Sequence, residues 1–206
     1  MLTIQNMTLS TREVILHNFS FQFQKGNSYL ISATNGSGKT TFFRSLVNLK
    51  SLDQGTVTFD QLNFEQRKIK VFYYETSDWF DLNMTGLDYL RLVKKLWHSN
   101  HEIETEINFW QMSSYINLPI KKYSLGMKQR LLIAMYLISD ADYLIMDEIS
   151  NGLDEENRDK LFNRLRSLTK QDDKCLLLSS HYRDETLSAI DHVLELKNET
   201  MTEIWQ

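Results

Sequence analysis

Phe19, Phe21 and Phe23 alternate with Ser20, Gln22 and Gln24, a period of two that puts three rings on one face of a strand. Lys25-Gly26-Asn27 then breaks the run as a turn. Tyr29-Leu30-Ile31 is short and wholly apolar, as suits a parallel strand buried on both faces. Gly55 to Asp60 reads as a further short strand. The pattern changes in the middle of the chain. Thr85-Gly86-Leu87-Asp88 has the spacing of a helix capping box, with Asp where Glu or Gln is usual. Leu87, Leu90, Val93 and Trp97 follow on one helical face, and Ile103, Ile107 and Trp110 mark a second helix. These aromatic side chains are expected in the core.

From Lys128 a helix is expected to run through an almost wholly apolar stretch to Ile138, so it should be buried on most sides. Three strand-like runs come next: Tyr143-Leu144-Ile145-Met146, Cys175-Leu176-Leu177-Leu178 and His192-Val193-Leu194-Glu195-Leu196. A charged helical segment, Glu155 to Leu168, separates the first two. That alternation predicts an α/β fold with a parallel sheet covered on both faces. No repeat, low-complexity tract or linker is visible, and the only proline is Pro119. The 206 residues are expected to form one compact unit with a sizeable core.

Hydrophobic residues at 42% and charged residues at 24% are ordinary for a soluble globular protein. A net charge of −4 offers no broad basic surface, so nucleic acid is not expected as a partner. The single Cys175 lies in an apolar run and reads as a buried structural thiol, in keeping with a reducing cytoplasm. The longest apolar run, Leu131 to Ile138, falls well short of the ~20 residues needed to span a bilayer. The start of the chain lacks the basic-then-apolar pattern of a signal peptide. Any membrane role is therefore expected to be peripheral.

The chemistry begins at Ala33-Thr34-Asn35-Gly36-Ser37-Gly38-Lys39-Thr40-Thr41. A strand, a glycine-rich turn and a helix starting near Lys39 make an arrangement that cradles phosphates. Backbone N–H groups and the helix dipole both favour an anion there. Gly36 and Gly38 permit backbone angles and close approach that a Cβ would obstruct. Lys39 would reach the β- and γ-phosphates and Thr40 would offer its hydroxyl to Mg²⁺. Ala33 stands where the strict pattern has glycine. Either its turn is ordinary, or a positive φ there costs about 1 kcal/mol or more.

With that loop in place, the chain resembles the nucleotide-binding domain of an ATP-binding-cassette (ABC) protein from about residue 2 to residue 204. Ala33 through Thr41 resembles the family's Walker A motif. Ser124-Leu125-Gly126-Met127-Lys128 resembles its signature motif, with Leu125 and Met127 departing from the commonest form. Leu144 to Glu148 resembles Walker B, Asn151-Gly152-Leu153-Asp154 the D-loop, and Ser179-Ser180-His181 the switch histidine. The implied fold is a P-loop NTPase core with a mostly parallel sheet, an N-terminal antiparallel β subdomain and an inserted α-helical subdomain. The implied division is residues 1–78 and 128–206 for the core and 79–127 for the insert.

The resemblance implies ATP and Mg²⁺ as cofactors, held by the residues of the phosphate loop together with Ser124, Leu125, Gly126 and Asp154. Asp147, at the end of a buried strand, would be satisfied by Mg²⁺ and its waters, beside Thr40. Glu148 would polarise the attacking water as a general base, and His181 would contact the γ-phosphate. Ser124 would cap a helix beginning near Gly126, making a second anion site for the ATP of an opposing subunit. Taken alone, that serine is an ordinary cap and His181 an ordinary structural histidine.

Two positions depart from the family. Glutamine is usual after the strand preceding the insert, and here Glu75 stands there. It can still offer oxygen to the metal, as in relatives resembling bacteriocin exporters, or be a surface-loop residue. The stretch Leu9-Ser10-Thr11-Arg12 lacks the aromatic that commonly stacks on adenine. Loose holding of the base is expected, losing part of the about 1–3 kcal/mol that stacking gives. The implied activity is that of an Mg-dependent ATPase closing as a homodimer or heterodimer on two ATP. It would be peripheral on the inner face of the cell membrane and coupled to an integral membrane permease. The details lean toward exporters of peptides, bacteriocins or drugs. A soluble ABC-type ATPase acting in assembly or remodelling is the alternative. Trp79 and Phe80 lie where the permease would dock, or else in the core of the insert.

Overall fold

The computed structural model describes residues 1–62, 64–179 and 190–205. The chain opens with β1 (Leu2–Ser10), β2 (Val14–Phe23) and β3 (Ser28–Ser32), then enters α1 (Lys39–Leu46). It continues through β4 (Gln54–Phe59), α2 (Phe64–Lys68) and β5 (Val71–Tyr73). Two helices, α3 (Gly86–Leu96) and α4 (Ile103–Phe109), precede the long α5 (Leu125–Ser139). The remainder is β6 (Tyr143–Met146), α6 (Glu155–Lys170), β7 (Cys175–Ser179), β8 (His192–Lys197) and β9 (Thr200–Trp205).

Strands β1, β2 and β4 make a small antiparallel sheet in the order β2-β1-β4. The larger sheet runs β5-β6-β7-β3-β8-β9, with every neighbour pair parallel except β8 and β9. Strands β3, β6 and β7 are buried at every position, which is why their sequences are unbroken rather than alternating. Their two faces feed two cores. Leu30, Leu144, Leu176 and Leu178 pack with α5 and the helical insert. Tyr29, Ile31, Tyr143, Ile145 and Leu177 pack with Phe42 and Phe43 of α1 and the small sheet. Phe19 and Phe23 join this second core with Phe21 partly buried beside them, so the aromatic face read from the alternation is real. Cys175 is buried in it too.

Helix α3 starts at the capping box read from the sequence. Asp88 N donates to Thr85 Oγ1 at 3.1 Å and Thr85 N donates to Asp88 Oδ2 at 3.0 Å, so the shorter Asp side chain still closes the box. Leu90, Val93, Ile107 and Trp110 are buried in the first core, and Trp97 packs against its edge. Trp79 and Phe80 part company: Phe80 is core, whereas Trp79 is 46% exposed.

Helix α5 begins at Leu125, before the apolar run, because Ser124 caps its first turn. It therefore crosses the expected division at residues 127 and 128. Helix α6 runs on to Lys170. Helix α2 and edge strand β9 were not separable in the sequence, one being only five residues and the other only partly alternating. Among the described residues, no helix is long and apolar enough to cross a membrane.

Helix α5 is fastened to the sheet by a fully buried hydroxyl. Tyr136 donates to Ile145 O at 2.6 Å and accepts from Tyr74 N at 3.1 Å. Tyr136→Phe removes both of these bonds between α5 and the sheet. It is expected to lower the free energy of unfolding by about 1–3 kcal/mol, read by urea denaturation.

Candidate functional site

Strand β3 ends at Ser32 and α1 begins at Lys39, so residues 33–38 turn over the end of the large sheet. Gly36 and Gly38 hold φ of 78° and 101°, in the left-handed region that favours glycine. A Cβ on Gly38 would also lie 2.7 Å from Ile15, while one on Gly36 would meet open space. Ala33 is not among the residues with positive φ, so the departure from glycine there carries no strain. Lys39 is nearly buried and its ammonium donates to the carbonyls of Ala33 at 3.1 Å and Thr34 at 3.3 Å. Ser37 Oγ is buried within this turn with no partner among the described residues.

Two cavities meet this loop. One of about 460 Å³ is lined by Asn35, Gly36, Gly38, Lys39, Thr40, Thr41 and Glu148. The other, about 1050 Å³, runs from Thr11–Ile15 past Ala33, Thr34 and Gly38 to Glu195–Glu199. Arg12 borders it, and among the described residues no aromatic side chain does.

Asp147 follows directly after β6 and reaches toward α1. Thr40 Oγ1 donates to Asp147 Oδ2 at 2.5 Å, and Ser179 Oγ, at the end of β7, donates to Asp147 Oδ1. Burial pushes this carboxyl above its ordinary range, the nearby Glu148 and Glu75 push the same way, and the two hydroxyls pull back. Glu148 beside it has φ of 50°, a strained setting for a non-glycine residue and of a kind that gathers at functional sites. Its N–H donates to Ser179 Oγ at 2.9 Å, and Asn151 Nδ2 donates to its Oε2 at 2.6 Å.

Glu75, two residues past β5, is gripped from α1. Arg44 Nε and one terminal nitrogen donate to its two oxygens, and Tyr73 OH adds a bond at 2.8 Å. Those donors, the Arg44 guanidinium first, hold the carboxyl below its ordinary range against the opposing effect of burial. Thr40, Glu75, Asp147 and Glu148 border one cleft of about 300 Å³, closed on another side by Leu125 and Gln129 of α5.

The serine-capped end of α5 is on the surface. Ser124 is exposed and Leu125 is 60% exposed. Met127 N donates to Ser124 Oγ at 3.3 Å, and Ser124 N approaches Met127 Sδ at 3.4 Å. Sulfur thus takes the place a Glu or Gln oxygen fills in the usual box. Gly126 lies against the carbonyl of Gly152, and Gly152 in turn lies against Leu125. Asp154 is exposed and caps α6, accepting from Asn157 N at 2.9 Å. That backbone bond holds its carboxyl below the ordinary range. His181 lies outside the described residues.

Three participants escaped the sequence reading. Arg44 and Tyr73 carry no motif, and Ser179 was read only as a neighbour of His181. Its place at the end of β7, beside the strand that Asp147 follows, was the one signal that could have found it.

The sequence profile of the ABC transporter family matches residues 16–151. The lantibiotic transport ATP-binding protein SrtF of Streptococcus pyogenes is 31% identical over 95% of this chain and 84% of its own. The uncharacterized ABC transporter ATP-binding protein YybJ of Bacillus subtilis is 28% identical over 96% and 93%. A dimeric ATP-binding cassette in a post-hydrolysis state, bound to ADP and Pi, superposes with a TM-score of 0.82 at 19% identity, covering all of this chain and 98% of its own. That last likeness speaks for the fold. The chain belongs to the ABC transporter family, as an ATP-binding subunit and an ATPase.

The two loop glycines separate experimentally. Gly36→Ala meets only the backbone cost of a positive φ, about 1 kcal/mol, whereas Gly38→Ala adds a clash with Ile15. Gly38→Ala is therefore expected to lower the melting temperature and ATP affinity more than Gly36→Ala.

Proposed function

We propose that this chain is the ATP-hydrolysing subunit of an ABC exporter, closing as a dimer on two ATP and driving a separate integral membrane permease. The observation that carries the reading is the Thr40–Asp147 contact, which brings the phosphate loop's helix against the acidic strand end. A hydroxyl and a carboxylate in that relation suit Mg²⁺, which takes one or two protein oxygens and completes its shell with water and phosphate. Thr40, Asp147 and Glu75 are the residues that would hold it. When bound, the metal neutralises charge on the phosphates.

The chain's own residues supply the rest. The N–H groups of residues 34–41 receive the phosphates, with Ser37 Oγ as a further donor. Lys39 exchanges the carbonyls of Ala33 and Thr34 for phosphate oxygens. Glu148 Oε accepts a proton from the attacking water, oriented by Asn151. The exposed Ser124–Gly126 end of α5 meets the γ-phosphate held by a second copy or a related subunit, with Asp154 near that junction and His181 completing the contact. The lean toward export rests on the likeness to SrtF, a lantibiotic transport protein by name. Trp79, at 46% exposure, fits the permease contact better than buried Phe80.

Glu148→Gln removes the proton acceptor and is expected to slow hydrolysis about 100-fold or more. With ATP and Mg²⁺ the variant should elute as a dimer in size-exclusion chromatography. A persistent monomer, alone and with a related subunit, would overturn the closing mechanism. That no ring among the described residues lines the larger cavity has its own consequence. Values of kcat/KM for ATP and GTP are expected to lie within about tenfold, because no ring among the described residues adds the about 1–3 kcal/mol of base affinity that stacking gives, leaving the phosphates, which both nucleotides share, to carry the binding. A much larger preference would show that the base is gripped by other groups.

A further inference from the structure

Resting on the reading that Glu75 faces the metal and nucleotide, we propose that Arg44 is a positioning residue for Glu75. Its guanidinium fork orients and neutralises the carboxylate, so that a charged side chain serves where the family usually carries neutral glutamine.

The geometry is specific to arginine. Nε and a terminal nitrogen each meet a different oxygen of Glu75, the two-pronged match that a lysine cannot make. Tyr73 OH fixes the same carboxylate from β5 at 2.8 Å, so three bonds leave it one orientation. Arg44 follows Thr40 by one helical turn, which places the hydroxyl and the guanidinium on the same side of α1. The Glu75 side chain is 11% exposed and that of Arg44 is 45% exposed. A pair so open on one side adds little to folding. Its consequence is local. Glu75, Asp147 and Glu148 border the same cleft of about 300 Å³, which shares Thr40 and Glu148 with the phosphate-loop cavity proposed to receive an anionic triphosphate. Without Arg44 the third carboxylate repels that ligand and is free to turn away from the metal.

The test is a double-mutant cycle read by calorimetric binding of Mg²⁺–ATP to the nucleotide-free chain, with melting temperatures confirming that each variant is folded. Arg44→Met is expected to weaken binding about tenfold, the scale of a lost charge-assisted bond. In the Glu75→Gln background the same change is expected to cost less than about twofold, because the charge it answered is gone. Equal losses in both backgrounds, or no loss in either, would overturn the proposal. Arg44→Lys keeps the charge and loses the fork. It is expected to weaken binding about threefold, again only with Glu75 present, and remains informative if Arg44→Met does not fold. Failure of the unmutated chain to bind Mg²⁺–ATP at all would instead overturn the functional reading beneath it.

Discussion

A carboxylate at the end of a core strand must be answered by other groups, and Asp147 is such a carboxylate. Strand β6 is buried along its whole length, so a lone ionised side chain at its exit would be expensive. The answer comes from two elements at once. Register makes this possible: Met146 pairs with Leu178 of β7, and Ser179 pairs with Ile31 of β3. The ends of three parallel strands therefore arrive together, with Asp147, Ser179 and the phosphate loop side by side. That is the crevice outside the carboxyl ends of the strands where α/β sheets generally bind ligands. The partners are hydroxyls, and that choice has a consequence. Thr40 and Ser179 are neutral, so either can be surrendered to an incoming cation without stranding a second buried charge.

Much of this was legible because it is local. Unbroken apolar runs gave β3, β6 and β7, and the Thr85–Asp88 spacing marked the start of α3. The glycines of residues 36 and 38 announced a turn with positive φ. What stayed hidden depends on pairing between distant parts of the chain. Arg44 and Glu75 stand 31 residues apart, and nothing near either of them predicts that β5 will dock beside β6 and bring Glu75 over α1. The strained backbone at Glu148 is equally silent in sequence, since glutamate has no preference for that region. Met127 shows a different failure. A methionine at the third helical position gives no capping signal, yet its sulfur reaches the N–H that an oxygen usually takes.

Helix α5 joins the surface to the cleft. Its N-terminal turn is exposed at Ser124, while from Leu131 to Ile138 every residue is buried. Between these, Gln129 is buried and its Nε2 donates to Ile149 O at 2.5 Å, and Leu125 packs on Gly152. The segment carrying Glu148 and Asn151 is thus fastened to the first turn of the helix whose tip faces solvent. A close-packed body cannot absorb a displacement at one end of such a contact without passing it on. The serine-capped tip therefore shares packing with residues 149–152, which adjoin the glutamate beside the acidic strand end. Contact between the two regions is thus built into a single chain.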